Sequence, residues 1–390
     1  MWFASLAASL LVVVSQGQEA GVCSTDDDCN LNGVCNVSSG GTARVCVCAA
    51  EWTGDNCGLL NLESARPSPF SGFNEALNSS WGGSIIQDPD DGLYHMFVSR
   101  LAGHCGLNAW AHNSEVVRAT SNDPEGPFEY AETVLPFFAH GPSVRQMPDG
   151  SFMLMHLGCG YPNRAARFVE GCINGTTPDA YNQKKEIEAE EIAVCSQFNV
   201  LVLTAPTLLG PWSPNDGSGG TQVSLSRPSW SASGPRGRHF SNPAPHFMAN
   251  GTILLAYRAD DRKGTERVSV GRADSLLDSY VDSRAAPAVD ATVEDPFLWQ
   301  DERGHWHMLM HNMEAIAAHA FSRDAVTWTV SSVEPYDNIV LFTDGSTVSM
   351  KRRERPQLLL DKMGRPTYFS TGVMDYDDHS YTLVVKVKKD

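Results

Sequence analysis

A hairpin written five times constrains this chain more than any other feature. The segments WGGSIIQDPDDGLYHMFVSR from residue 81, HGPSVRQMPDGSFMLMHLG from 140 and SNPAPHFMANGTILLAYRA from 241 align with one another. VEDPFLWQDERGHWHMLMHN from 293 and RERPQLLLDKMGRPTYFSTG from 353 extend the series. Four of the five carry a proline near the start. Each then gives about five strand-forming residues, a glycine-containing turn and a second alternating strand, the signature of a β-hairpin. The turns fall at Asp91-Gly92, Asp149-Gly150, Asn250-Gly251, Arg303-Gly304 and Met363-Gly364.

A second pattern follows most of these hairpins. VVRATSNDPEGPFEY, VLVLTAPTLLGPWSP, VSVGRADSLLDSYVDS and AAHAFSRDAVTWTVS each read as a strand, a short turn and often an aromatic residue. Each unit therefore holds about four strands. The fifth ends in YTLVVKVKKD, and its missing outer strand is expected from the segment before Trp81. Five four-stranded repeats predict an all-β, five-bladed β-propeller over residues 81–390, with 59–80 as a linker and candidate closing strand. Between the second and third repeats the chain carries an insertion at 158–197. A connection this long is expected to act as a lid. It contains Cys159, Cys172 and Cys195, which with Cys105 allow three disulfide connectivities. QKKEIEAEEIA at 183–193 is the one fair helix candidate.

Residues 1–20 hold an apolar run of about 12 residues followed by small and polar ones, as in a signal peptide. No later stretch is apolar enough to span a bilayer, so an extracellular protein is expected. The cysteines agree with an oxidising compartment: six of the ten fall between Cys23 and Cys57. A stretch this short cannot bury a sufficient apolar core and needs disulfides. Its cysteine order and its ending, Cys48, Trp52, Gly54 and Cys57, resemble the epidermal-growth-factor-like module over residues 21–58. The resemblance implies the pairs Cys23–Cys35, Cys29–Cys46 and Cys48–Cys57, and a further contact surface for protein or glycan. Glu51 departs from it, standing where the family usually has glycine. The acidic run Asp26 to Asp28 reads as a solvated loop rather than a calcium site, because further ligands are missing. Sequons at Asn36, Asn78, Asn174 and Asn250 fit a secreted glycoprotein.

The net charge of −17 argues against a nucleic-acid partner. Propeller geometry points instead to one cavity. The innermost strand of each blade lines the central channel, and the N-terminal ends of these strands meet at one mouth. Trp81, His140, Asn242, Glu294/Asp295 and Glu354/Arg355 occupy matching positions there, although they lie far apart in sequence. Arg258 and His311 follow on second strands as candidate substrate contacts. Carboxylates around a polar cavity suit acid and base work at an acetal carbon.

At these residues the chain resembles the five-bladed propeller glycoside hydrolases, broadly family 43 and the invertase-like family 32. VEDPFLW looks like their strand-start Asp-Pro motif, and RERPQLL like their Glu-x-Pro motif. The resemblance implies a carbohydrate substrate, Glu354 as general acid, and Asp295 as the residue that orients substrate or tunes the acid. No cofactor is expected. The departure is the third carboxylate of those enzymes, whose place is taken by His140. Either Glu294 supplies the missing role, or Glu115 or Glu314 reaches in, or catalysis is altered or absent. Ion pairing with Arg352, Arg353 and Arg355 is the structural alternative for the same carboxylates. His305, His307 and His311 on one strand read as packing and hydrogen bonding rather than a metal site. Trp81, Trp110 and Trp299 read as filling between blades, with sugar stacking the alternative. Two functions stand: a secreted glycosidase, or a non-catalytic carbohydrate-binding or adhesion protein using the same cavity.

Overall fold

A computed structural model describes residues 22–38, 43–101, 105–136, 139–158, 199–232 and 240–389. The signal-peptide reading, the helix candidate, Asn174, and Cys159, Cys172 and Cys195 with nearly all of the insertion lie outside the described residues. Cys105 takes part in a disulfide. Among the described residues no helix is long and apolar enough to cross a membrane.

The protein is a five-bladed β-propeller. Blade 1 is Ser79–Gln87, Tyr94–Leu101, Ser114–Ser121 and Glu129–Leu135, hydrogen-bonded in chain order. Blade 2 is Ala139–Gln146, Phe152–Gly158, Asn199–Ala205 and Thr221–Gln222, and blade 4 is Val293–Gln300, Trp306–Asn312, Ala317–Ser322 and Thr329–Val330. Blades 3 and 5 have three regular strands rather than four: Ser241–Phe247, Ile253–Asp260 and Glu266–Ala273, then Arg352–Leu360, Pro366–Met374 and Ser380–Lys386. In blade 3 only isolated bridges, Val268 with Val289 and Arg272 with Val281, stand in for the fourth strand. In blade 5 residues from the N-terminal side take that place. Leu62 bridges Val387, and Phe73 and Thr382 exchange backbone hydrogen bonds.

The repeat is built from local chemistry. All five hairpin glycines, Gly92, Gly150, Gly251, Gly304 and Gly364, have φ between 75° and 88°, a region in which a side chain is strained. Side-chain oxygens of Asp149, Asp301 and Asp361 accept backbone N–H groups across their turns and hold them closed. The apolar faces then pack between neighbouring blades. Phe97, Val144 and Leu154 join blades 1 and 2; Met153, Leu255 and Tyr257 join blades 2 and 3; Leu254, Leu298 and Met308 join blades 3 and 4.

The N-terminal module carries Cys23–Cys35, Cys29–Cys46 and Cys48–Cys57 disulfides, and it fits an epidermal-growth-factor-like fold. It is packed against the propeller. Trp52 and Leu60 share a core with Phe297, Trp299, Leu309 and Phe369 of blades 4 and 5. The Trp52 ring lies 5.0 Å from that of His319, which stacks on His307, which stacks on Trp299. Arg303 donates to the backbone carbonyls of Leu31 and Gly33. Trp299 and His307 are thus core residues, and neither reaches the mouth.

Candidate active site

Each inner strand is interrupted at the same point near its start. The ladder slips after Trp81, Ser241, Glu294 and Glu354, and opposite Met155 to Leu157 in blade 2. At each slip one residue adopts a left-handed backbone: Gly82 at φ 60°, Gly141 at 63°, Asn242 at 54°, Asp295 at 55° and Arg355 at 55°. A bulge of this kind re-aims a side chain next to a functional surface. It lets the two consecutive carboxylates Glu294 and Asp295 both approach the mouth, which regular alternation forbids. The structural repeat therefore pairs Asn242 with Asp295 and Arg355. The preceding position holds Trp81, His140, Ser241, Glu294 and Glu354.

These five bulged residues meet. Asp295 Oδ1 accepts from Asn242 and lies 2.9 Å from Arg355 Nη1. The Arg355 side chain crosses two glycines. A Cβ on Gly82 would stand 2.7 Å from Arg355 Cβ, and one on Gly141 only 2.2 Å from Arg355 Nη2. Small residues on blades 1 and 2 are what leave room for the buried pair between blades 4 and 5.

Above this layer, one oxygen each of Glu294, Asp295 and Glu354 and one nitrogen of His311 lie within 4.8 Å of one another. His311 stands between the two glutamates, with Nδ1 3.6 Å from Glu294 and Nε2 3.7 Å from Glu354. Both oxygens of Glu354 accept from Arg352, at 2.5 Å and 2.7 Å. Arg258 lies 3.7 Å from Glu294 and also pairs with Glu266 and Asp260. Burial pushes the Asp295 carboxyl up to about 6, reinforced by Glu294 and Glu354 and opposed by Arg355. Burial works the same way on Glu294, but the His311 hydrogen bond and Arg258 outweigh it and hold that carboxyl below its ordinary value. For His311 burial opposes the charge, yet Glu294 and Glu354 more than offset it, so its pKa is raised.

The remaining candidates fall into place around this cluster. His140 is buried, with Nδ1 2.7 Å from the Ser114 hydroxyl and its ring 5.2 Å from that of Trp110. Burial and Arg355 keep it neutral, its pKa well below the ordinary histidine value. Trp81 is packed among Leu101, Leu107 and Met374, with the Arg352 guanidinium over its ring. Glu115 is bound to Arg100 at 2.6 Å, and Glu314 accepts from Thr292, so each is engaged by a partner outside the cluster. Arg353 stacks on Tyr336 and Phe369 and makes no ion pair with the cluster. The ion-pairing alternative thus holds for Arg352 and Arg355. Of the sequons, Asn36 and Asn250 are exposed and Asn78 is half-buried.

The four-residue cluster has ligand types for a cation, but Arg258, Arg352 and Arg355 already supply counter-charge. A second group, Asp88, Asp91 and His95, sits on a blade 1 hairpin. There Arg118 donates to His95 Nδ1 at 3.2 Å, so Nε2 carries the proton and faces the carboxylates as a donor rather than a ligand.

No family model matches the sequence, and no curated protein matches it. Solved structures do. The catalytic domain of the Coprinopsis cinerea GH62 α-L-arabinofuranosidase superposes with a TM-score of 0.51 at 11% identity, covering 83% of this chain and 97% of that one. A thermostable family-43 glycoside hydrolase superposes with a TM-score of 0.50 at 11% identity, over 83% and 96%. At that identity the likeness is one of architecture: the chain shares the five-bladed propeller fold of these glycoside hydrolases.

Proposed function

We propose that the protein is a secreted glycoside hydrolase that cleaves glycosidic bonds at the propeller mouth. The observation that carries this reading is the convergence of Glu294, Asp295 and Glu354 around His311, within 4.8 Å, from neighbouring blades. Glu354 donates a proton to the leaving-group oxygen, and Glu294, held ionised by His311 and Arg258, faces the anomeric carbon. Asp295, fixed by Asn242 and Arg355, orients the substrate and tunes Glu354. Water then cleaves the glycosyl–Glu294 ester and gives its proton to Glu354, while His311 holds the two glutamates in position. Carboxylate oxygens this close suit direct attack by Glu294 with retention, because inversion needs about 6.5–9.5 Å to seat a water. Trp81, His140, Arg258 and Arg355 shape the cavity around the sugar. Secretion rests on the disulfide-bonded module and the leader-like N-terminus.

A panel of nitrophenyl glycosides beside a glycan array tests the proposal. Glu354→Gln and Asp295→Asn are each expected to lower turnover at least about a hundredfold, the usual scale of acid–base contributions, with the fold retained. A second reading, a carbohydrate-binding or adhesion protein, is favoured by one feature: both oxygens of Glu354 are occupied by Arg352. Glycan binding without hydrolysis in the parent protein decides for that reading.

A further inference from the structure

Below the carboxylate layer the channel holds a cation with no carboxylate partner among the described residues. Arg145 leaves the blade 2 inner strand and reaches across the axis. Its Nη1 donates to Ser84 of blade 1 at 3.3 Å and to the Val144 carbonyl at 2.7 Å. Its guanidinium carbon lies 4.9 Å above the ring of Phe297 in blade 4. Contacts to blades on both sides place the head group on the axis. Its Nη2 is shielded from solvent and has no hydrogen-bond partner among the described residues. No carboxylate pairs with it there either, and burial alone lowers its pKa to about 10. The three arginines that flank the carboxylate cluster, Arg258, Arg352 and Arg355, each have a carboxylate within 4 Å.

Further polar groups at this depth are unsatisfied. Counting three residues on from Trp81, His140, Ser241, Glu294 and Glu354 gives Ser84, Ser143, Ala244, Phe297 and Gln357, which the repeat sets at one height. The buried Ser143 hydroxyl and the Gln357 carboxamide oxygen have no partner among the described residues. Rotation of the Gln357 amide exchanges that oxygen for an NH2. Buried polar groups take partners, and a buried unpaired charge is the costliest exception. Above, Arg355 lying on Gly82 and Gly141 limits what enters from the mouth to small species. Arg145 itself is half-buried.

We propose that the central channel binds a small monovalent anion of the chloride class on Arg145, with the Ser143 hydroxyl and the Gln357 amide as further donors. The anion supplies the countercharge that no described carboxylate gives, and it lies on the axis beneath the Asp295–Arg355 pair.

The test titrates the full chain with sodium chloride against sodium gluconate at constant ionic strength and reads the thermal unfolding midpoint. In parallel, crystals are soaked in sodium bromide to locate the anion by anomalous scattering. Chloride is expected to raise the midpoint progressively, as for any ligand that binds only the native state, and bromide to give a peak beside Arg145. Arg145→Met should abolish both effects. Should Arg145→Met fail to fold, Ser143→Ala decides, with an expected loss of at least about tenfold in apparent chloride affinity. Equal midpoints in chloride and gluconate, ordered water in place of bromide, or an unchanged chloride response in the variants overturns the proposal.

Discussion

Gly82→Ala tests the idea that two glycines hold the axial ion pair open. Gly82 has φ 60°, and an added Cβ meets Arg355 Cβ at 2.7 Å and Cδ at 3.2 Å. Those atoms belong to the stem of the side chain, close to a fixed backbone, so they cannot swing away. Gly251 is the control: its φ is 88° and an added Cβ meets nothing within 4 Å. A left-handed alanine costs about 1–2 kcal/mol in either place. Overpacking a closed site adds about 1–3 kcal/mol. Gly82→Ala should therefore lose about 2–5 kcal/mol and Gly251→Ala about 1–2 kcal/mol by urea denaturation, combining the same two effects. Gly141→Ala touches Arg355 at the movable Nη2 tip. It should cost less stability than Gly82→Ala while still disturbing Asp295, and so weaken turnover or glycan binding. Equal losses for Gly82→Ala and Gly251→Ala would refute the cradle.

The site should also show in the pH dependence of stability. The raised pKa of His311 gives stabilisation present in full below about 6.5 and lost as pH rises through the folded value. Asp295, raised to about 6, keeps a proton that the unfolded chain releases at lower pH, so its contribution also falls as pH rises. Unfolding midpoints of the parent minus those of His311→Gln should be largest below pH 6.5 and shrink above neutrality, and Asp295→Asn should flatten the slope below about pH 6. Arg352→Gln should change glycan binding or turnover at least about tenfold, because it frees both oxygens of Glu354. Its urea midpoint should move little, since a substantial part of the Arg352 side chain is in solvent. Trp52→Ala should cost about 3–5 kcal/mol, the range for a buried tryptophan. Intrinsic fluorescence and far-UV circular dichroism should still report one shared transition, because the module and blades 4 and 5 share a core.

The blades were legible because their signals are local. A glycine turn and a strand-start proline recur at each hairpin, and neither depends on distant residues. The adjacent carboxylates were legible as a departure from alternation, but their cause was not. In the strings WGG, HGP, SNP, EDP and ERP the middle residue is the one turned left-handed toward the axis. Glycine announces that conformation clearly, Asn242 and Asp295 only weakly, and Arg355 not at all. The bidentate grip of Arg352 on Glu354 was within reach, since the two are neighbours on one strand face. The docking of the module was not: Arg303 and Leu31 are 272 residues apart, and no local pattern joins them. Arg145 carries no motif at all, and its isolation appears only when the surrounding blades are in place.

The closure of blade 5 has a consequence for how the molecule is made. Ser80 accepts the backbone N–H of Thr382 across 302 residues of chain, and Phe73 clasps the same strand. While a ribosome is still adding residues, the segment around Leu62 and Phe73 has no blade 5 edge to join, and blade 1 must wait with an open, adhesive side. Contacts of such sequence separation slow folding and leave strand edges exposed to wrong partners. The ring is therefore a late event governed by loop-closure entropy, and lesions at this seam should lower the yield of correctly folded protein before they lower its midpoint of unfolding.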